Sequence, residues 1–500
     1  MIAAAAFACA LLAAGCSGKS AQAQFGSGAG AGPAVPASVV STDWNRFDYD
    51  AARSGVGPAS TGITAADVKR LRPRVVRIDG TADSSAIELH AVRVRGRRRD
   101  VFFLTTTYGK TIALDARTGR RLWEFVPSSI RSYDGTRQIT TATPIADPNR
   151  RYLYASSPDG MVHKLSVSSG RQVRSRHWPA RVTFDAHKEK IASALNINGA
   201  SVIVTTGGYI GDAPTYQGHV VAINRSSGRI TGVWNSLCSN LHHLINPPTR
   251  CSASDSAIWA RAGAVVEPWS GRMLVATGNA PFDGRTNWGD SVLELSADGR
   301  RLLHNWTPSD EAQLNANDTD LGSTAPALLP VFHGRHLAVQ GGKDGQLHLL
   351  DVGRLDGTTG PAGPRKGGEL QNIAVPGGAE VFSAPAVWSH NGRTYVFVGV
   401  SGSTAAYVLG SNGRLSLAWQ DGSSGTSPVI AGGLLYVYDM NAGRLNIRRP
   451  TTGGLVASLP AAAGHWNSPI VVGGRIALPV GNANDASRSG VMYIWHLPGR

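Results

Sequence analysis

The chain has 500 residues, 42% of them hydrophobic and 17% charged, with 60 Gly and 27 Pro. Such a chain is globular and turn-rich, too poorly charged for a coiled coil and, past residue 20, without the long apolar runs of a polytopic membrane protein. The net charge is +15, but no long basic block or aromatic-basic motif accompanies it, so it reads as a basic surface suited to an anionic envelope polymer or lipid surface, not to nucleic acid.

Residues 1–15 (MIAAAAFACALLAAG) form a short apolar stretch ending in small residues, as an export signal does. It runs into Leu12-Ala13-Ala14-Gly15-Cys16, which resembles a bacterial lipobox. The resemblance implies cleavage before Cys16 and acylation of its thiol, although no Lys or Arg precedes Lys19. Residues 16–40 are rich in Gly, Ala, Ser, Pro and Gln and cannot offset the entropy of ordering, so a flexible tether is expected there. With Cys9 in the signal and Cys16 in the lipobox, Cys238 and Cys251 remain as an even pair in an exported chain, where a disulfide is expected. His242 and His243 lie between them, but the spacing does not suit a structural zinc site.

From about residue 41 onward a repeat governs the chain. Residues 113–123 read ALDARTGRRLW: a strand end, Asp115, a turn closed by Gly119, and a strand ending in Trp123. Degenerate copies centre on Gly170, Gly228, Gly299, Gly413 and Gly453, with a poorer one ending at Gly357. A second element precedes most units. A hydroxyl residue stands at or near a Pro before an apolar strand, as in Thr143-Pro144, Thr324-Ala325-Pro326, Ser383-Ala384-Pro385, Ser427-Pro428 and Ser468-Pro469. Four short strands per unit, repeated about eight times, predict an all-β fold, a β-propeller of four-stranded antiparallel blades spanning 41–500. Ring closure is expected to pair the first strand, near Val75–Arg77, with the last, near Tyr493-Ile494-Trp495. Few helices are expected, the best short candidate being 65–70.

The run Ala113-x-Asp115-x-x-x-Gly119-x-x-x-Trp123 resembles the tryptophan-docking repeat of the pyrroloquinoline quinone (PQQ) propeller proteins, the quinoprotein alcohol dehydrogenase-like superfamily, which includes polyvinyl-alcohol-dehydrogenase-like enzymes and non-catalytic envelope lipoproteins. The resemblance implies that each Trp packs between blades and that the enzymes hold PQQ and one Ca²⁺ on the propeller axis. Thr277-Gly278-Asn279 matches one calcium ligand, Asn279, and Lys343 matches the cation beside the quinone carbonyls. The register puts Ala213 at a Glu ligand position, with Asp212 beside it, and Ser296 at the catalytic Asp position, with Asp298 nearby. Asn317-Asp318-Thr319-Asp320-Leu321-Gly322 resembles a segment of the polyvinyl-alcohol-dehydrogenase-like proteins and reads as a solvated turn.

Two functions follow. With neither carboxylate position filled, the first expectation is a monomeric, membrane-tethered binding or scaffold module facing another envelope protein or an anionic polymer. The alternative is a PQQ- and calcium-dependent alcohol dehydrogenase; lacking a Cys-x-x-Cys-His haem motif, it would need an external electron acceptor. Asp212 and Asp298 are then the candidate catalytic carboxylates.

Overall fold

The computed structural model describes residues 43–245, 250–356 and 366–498. The expected signal, Cys16 anchor and tether, and Gly357, where the poorer repeat copy ends, lie outside them.

Thirty-two strands form eight four-stranded antiparallel sheets. In chain order, blades 1 to 7 span residues 87–125, 145–181, 196–235, 265–306, 327–374, 386–421 and 429–460. Blade 8 takes three strands from 470–496 and a fourth from Arg72–Ile78. The first strands of blades 5, 6, 7 and 8 touch in succession, so each blade runs from an inner strand a to an outer strand d. Closure follows the expected pairing, with Val75 opposite Tyr493 and Pro73 opposite Trp495. The expected helix is one 3₁₀ turn, Val68–Arg70; two short α-helices, Ile130–Tyr133 and Glu311–Ala316, lie between blades.

Each sheet is buried on both faces, which explains why its middle strands read as unbroken apolar runs. Phe102, Leu104, Ile112 and Leu114 of blade 1 share a core with Ile476, Leu478, Met492 and Ile494 of blade 8. The opposite face of blade 1, with Val101, Phe103 and Ala113, packs on Leu153, Ala155 and Leu165 of blade 2.

The repeated turn joins blades. In blade 1, Asp115 Oδ1 accepts from the Thr118 amide and hydroxyl, and Oδ2 pairs with Arg99. Burial acts to raise this carboxyl, but Thr118 and Arg99 outweigh it and hold it below the ordinary value. Trp123 Nε1 donates to the carbonyl of Val167 in blade 2 at 2.9 Å, and its ring lies on Gly170. A Cβ on Gly170 would stand 2.6 Å from the ring, and its φ is +72°. Only glycine satisfies both conditions. Trp419 repeats the contact on the Pro450 carbonyl and Gly453.

The recurring hydroxyls form a belt around the axis. Thr141 donates to the Ala192 carbonyl, Ser193 to Ile258, Thr324 to Ser383, Thr426 to Asn467 and Ser85 to Ser468. Each bond joins the linker before one inner strand to the linker before a neighbour. The segment from Trp44 to Thr61 then runs along the inner strands. Trp44 bridges Glu88 of blade 1, the Ala51 carbonyl receives the Val266 amide of blade 4, and Val56 bridges Ile430 of blade 7. The Arg53 guanidinium, 2% exposed, donates to the carbonyls of Phe47, Ala194, Leu195 and Ala262. This segment covers backbone groups that the inner edge of a propeller would otherwise leave unpaired.

Cys238 and Cys251 form the expected disulfide. It is the pairing that an oxidising, extracytoplasmic compartment maintains. Among the described residues no helix is long and apolar enough to cross a membrane.

Candidate functional site on the propeller axis

Blade topology decides which residues can meet. Along an antiparallel blade, the start of strand a, the b–c turn and the end of strand d fall at one end. The a–b and c–d turns fall at the other. The linkers between blades and the b–c turns therefore share one face.

Asn279 lies in the b–c turn of blade 4, Lys343 in that of blade 5, and Asp320 in the linker between these blades. They meet. The Asn279 amide donates to Asp320 Oδ1 at 2.9 Å, and the Lys343 ammonium is 2.5 Å from Asp320 Oδ2. Asp320 is 5% exposed. Lys343 also reaches Asp318, an exposed residue, at 3.4 Å. A Cβ on Gly278 would lie 2.0 Å from Asp320 Oδ1, so the Thr-Gly-Asn turn needs its glycine to admit this carboxylate. The Asp290 side chain holds the turn from below by accepting from the Leu321 amide. Among the described residues the Asn279 carboxamide makes no hydrogen bond, and its residue is half-buried.

Burial raises the Asp320 carboxyl above the ordinary value against the pull of Lys343 and the Asn279 amide. Lys343 is itself penalised by burial, yet Asp320 and then Asp318 raise it, so the ammonium stays charged. Asp255, on the linker before blade 4, is raised by burial against its Ser254 hydrogen bond, and Asp212, Asp320 and Asp318 raise it further.

The linkers add other groups to this face. Trp259 is half-buried, 5.9 Å below the Lys343 ammonium and 5.9 Å from Phe382, which lies 4.8 Å from Trp466. Asp83, fully buried, accepts from Arg261, His465, and the Trp466 and Ala483 amides. Lys190 lies 5.7 Å from the Tyr209 ring. Burial and then the Arg261 charge pull its ammonium down to about 8.

Asp212 and Asp298, the carboxylates singled out in the sequence, stand elsewhere. Asp212 is on the correct face but exposed, and its Oδ1 accepts from the Tyr216 hydroxyl at 2.8 Å. Asp298 and Ser296 belong to the c–d turn of blade 4, on the opposite face. There Ser296 donates to Asp298 at 2.5 Å, and Asp298 approaches Gly232 of blade 3. The carboxylate sought at 296 beside Asn279 stands at 320 instead. The segment 317–322 is not a solvated turn throughout: Asp318 is exposed, but Asp320 is buried and paired. Reading the repeat as faces rather than spacings would have found it. Asp83, Asp320, Phe382 and Trp466 all stand a few residues ahead of a belt hydroxyl.

A family model described as outer membrane protein assembly factor BamB matches residues 84–261. A polyvinylalcohol dehydrogenase from Pseudomonas sp is 22% identical over 347 residues, covering 63% of this chain and 50% of the relative. The chain thus spans about half the length of the curated relative it matches. The quinohemoprotein alcohol dehydrogenase of Comamonas testosteroni superimposes with a TM-score of 0.66 at 14% identity, over 92% of this chain and 81% of that one. A europium-containing methanol dehydrogenase gives 0.66 at 13% identity, over 91% and 98%. At these identities the structural likeness establishes the fold. The chain is an eight-bladed β-propeller with the fold of the quinoprotein alcohol dehydrogenases, and in sequence it is similar to a polyvinylalcohol dehydrogenase.

Proposed function

We propose that the axial site binds a planar, anionic quinone of the PQQ class and oxidises an alcohol, with Asp320 as the base. The observation that carries this reading is the meeting of Asp320, Lys343 and Asn279 over the Trp259 ring. The residues suit such a group. A flat, carboxylate-bearing cofactor wants an aromatic plane and cations, and Trp259 and Phe382 supply the plane, Lys343, Lys190 and Arg261 the charge. When bound, the quinone supplies a two-electron acceptor.

The chain's own residues manage the proton and the charge. Asp320, its carboxyl raised by burial, accepts the proton of the substrate hydroxyl at Oδ1 or Oδ2. Lys343 offsets the negative charge at that point, and Asn279 fixes the carboxylate through its amide. For calcium, this chain offers the Asn279 carboxamide and Asp320, and the described residues hold no group of three His, Cys, Asp or Glu side chains placed around a metal. Calcium binds six to eight oxygens, of which Asn279 and Asp320 would supply some. The relative from Pseudomonas is named for polyvinyl alcohol, and a secondary alcohol on a polymer is the substrate class to assay first.

One observation favours the scaffold reading. Position 213 is alanine, and the nearby Asp212 is engaged by Tyr216. On that reading the axial rings receive a protein partner. In either case we assign the export signal to 1–15, the acylated cysteine to Cys16 and the tether to 16–40, which together make the chain a membrane-anchored extracytoplasmic protein. Intact-mass measurement of the exported chain, with Cys16→Ala beside it, tests the anchor.

The test of function is quinone titration followed by tryptophan fluorescence, with dye-linked alcohol oxidation in the presence of Ca²⁺. The wild-type chain is expected to bind and turn over. Asp320→Asn should keep binding and lose about 10²–10⁴-fold in rate. A wild-type chain that neither binds quinone nor oxidises alcohols leaves the scaffold reading standing.

A further inference from the structure

The face opposite the axial site carries a second feature, independent of the redox reading. A cleft of about 380 Å³ opens on blade 1, lined by Arg97, Arg98, Arg99, Arg117 and Arg475 with only Asp100 and Asp115 as carboxylates. Both aspartates are already engaged. Asp115 pairs with Arg99 at 2.8 Å, and Asp100 pairs with Arg475 at 3.1 Å. Arg475 also stands 4.0 Å from Glu88. Arg97, Arg98 and Arg117 are exposed, and the described residues give them no ion pair. Arg475 is 8% exposed, and its Nε, like that of Arg99, is buried without a hydrogen-bond partner. The two guanidinium groups thus bring positive charge to the cleft floor beyond what their paired carboxylates engage.

The surroundings extend the charge. Arg93 and Arg95 project from the a–b hairpin and Arg120 from the c–d turn, all exposed. Topology places these turns on the face away from Asp320. The polypeptide also joins the propeller here. Asp43, the first described residue, accepts from the His90 amide at 2.7 Å and pairs with Arg150 at 2.8 Å. His90 adjoins Ala91, which lines the cleft.

We propose that this cleft receives the phosphate of an anionic lipid headgroup and that the arginine face docks the propeller on the membrane surface. The guanidinium groups that line the cleft suit the oxygens of a phosphate, and the exposed arginines follow the negative surface potential. Docking this way turns the axial site toward the aqueous side, open to a large substrate and an electron acceptor.

The test uses the full chain with Cys16→Ala, so that only the surface contacts lipid. Co-sedimentation with vesicles of phosphatidylglycerol and phosphatidylcholine is compared with phosphatidylcholine alone. Binding is expected only to the anionic vesicles and should weaken as salt is added. Arg97→Glu with Arg98→Glu should weaken it by more than about tenfold. Arg300→Glu with Arg301→Glu, the same charge change on the same face at blade 4, should weaken it far less. Inorganic phosphate at matched ionic strength should leave the vesicle complex largely in place. Equal binding to both vesicle types, equal losses in the two variant pairs, release by phosphate alone, or retention on an acidic polysaccharide but not on vesicles would each overturn the proposal.

Discussion

Gly278→Ala probes the axial site through a single methyl group. The added Cβ would stand 2.0 Å from Asp320 Oδ1 and 3.1 Å from its Cγ. An ordinary carbon–oxygen contact is over 3 Å, so the carboxylate must retreat by more than about 1 Å or the turn must open. Retreat breaks the 2.9 Å bond from the Asn279 amide and disturbs the 2.5 Å pair with Lys343. Losing hydrogen bonds to a buried charged group costs about 1.5–3 kcal/mol, and overpacking adds about 1–3 kcal/mol. The expected loss of stability is about 2.5–6 kcal/mol. The expected loss of turnover is larger, at least about 10²-fold, because the base moves by the distance that positioning cannot tolerate. Denaturant titration and dye-linked oxidation on the same preparation separate the two effects. A Gly278→Ala chain with wild-type stability would refute the claim that this glycine exists to admit Asp320. One that loses stability but keeps wild-type turnover would refute Asp320 as the base.

Other outcomes follow from the joints between blades. Trp123→Ala is expected to cost about 3–5 kcal/mol in chemical denaturation, while Trp123→Phe should lose the smaller part carried by the bond to Val167. Gly170→Ala, which adds a left-handed-region penalty to a clash with the same ring, should cost about 2–6 kcal/mol. Reducing the Cys238–Cys251 bridge, which spans 13 residues, should lower stability by about 3 kcal/mol in the chain-entropy model, read as the difference between melts with and without reductant. His219 is fully buried, and although burial opposes its charge, Glu189 at 3.1 Å raises its imidazole above the usual value. A raised pKa gives stability that is full below the ordinary value of about 6.5 and is lost as pH climbs through the folded value. Melts of the wild-type chain should weaken across that window, and His219→Gln should flatten the dependence.

The fold was legible because its signals repeat. The Asp/Gly turn, the docking Trp and the hydroxyl before each inner strand recur often enough to give blade number and closure, down to Val75 beside Tyr493. Each has a visible cause in the structure: Gly170 must admit a ring, Asp115 must tie its turn, Ser85 must bridge to Ser468. The site was only half legible. Asn279 and Lys343 carry short motifs with little freedom of register. The carboxylate comes from a linker of about twenty residues, where spacing is free and no period constrains it. Matching by local pattern put the carboxylate at Ser296, a turn of the right type on the wrong face. The paired Asp320, meanwhile, looked like solvated turn chemistry, because sequence alone does not show that Gly278 and Lys343 enclose it. The Lys190, Arg261 and Asp83 cluster was missed for the same reason: its members come from three linkers far apart in the chain.

The antiparallel blade sorts every connection to one of two faces, and this chain uses the faces differently. The linkers and b–c turns carry the buried ion pair of Asp320 and Lys343 with the rings of Trp259, Phe382 and Trp466. The a–b and c–d turns of blade 1 carry the arginines and the point where the upstream chain joins. Between them the segment from Trp44 to Thr61, with Arg53 at its centre, lines the inner strands. On the proposed function, the groups that would meet a ligand of the axial site lie on the linker face. The two proposals are therefore compatible: an electron acceptor and a substrate would meet the propeller on the linker face, and a membrane contact through the blade 1 arginines would leave that face free.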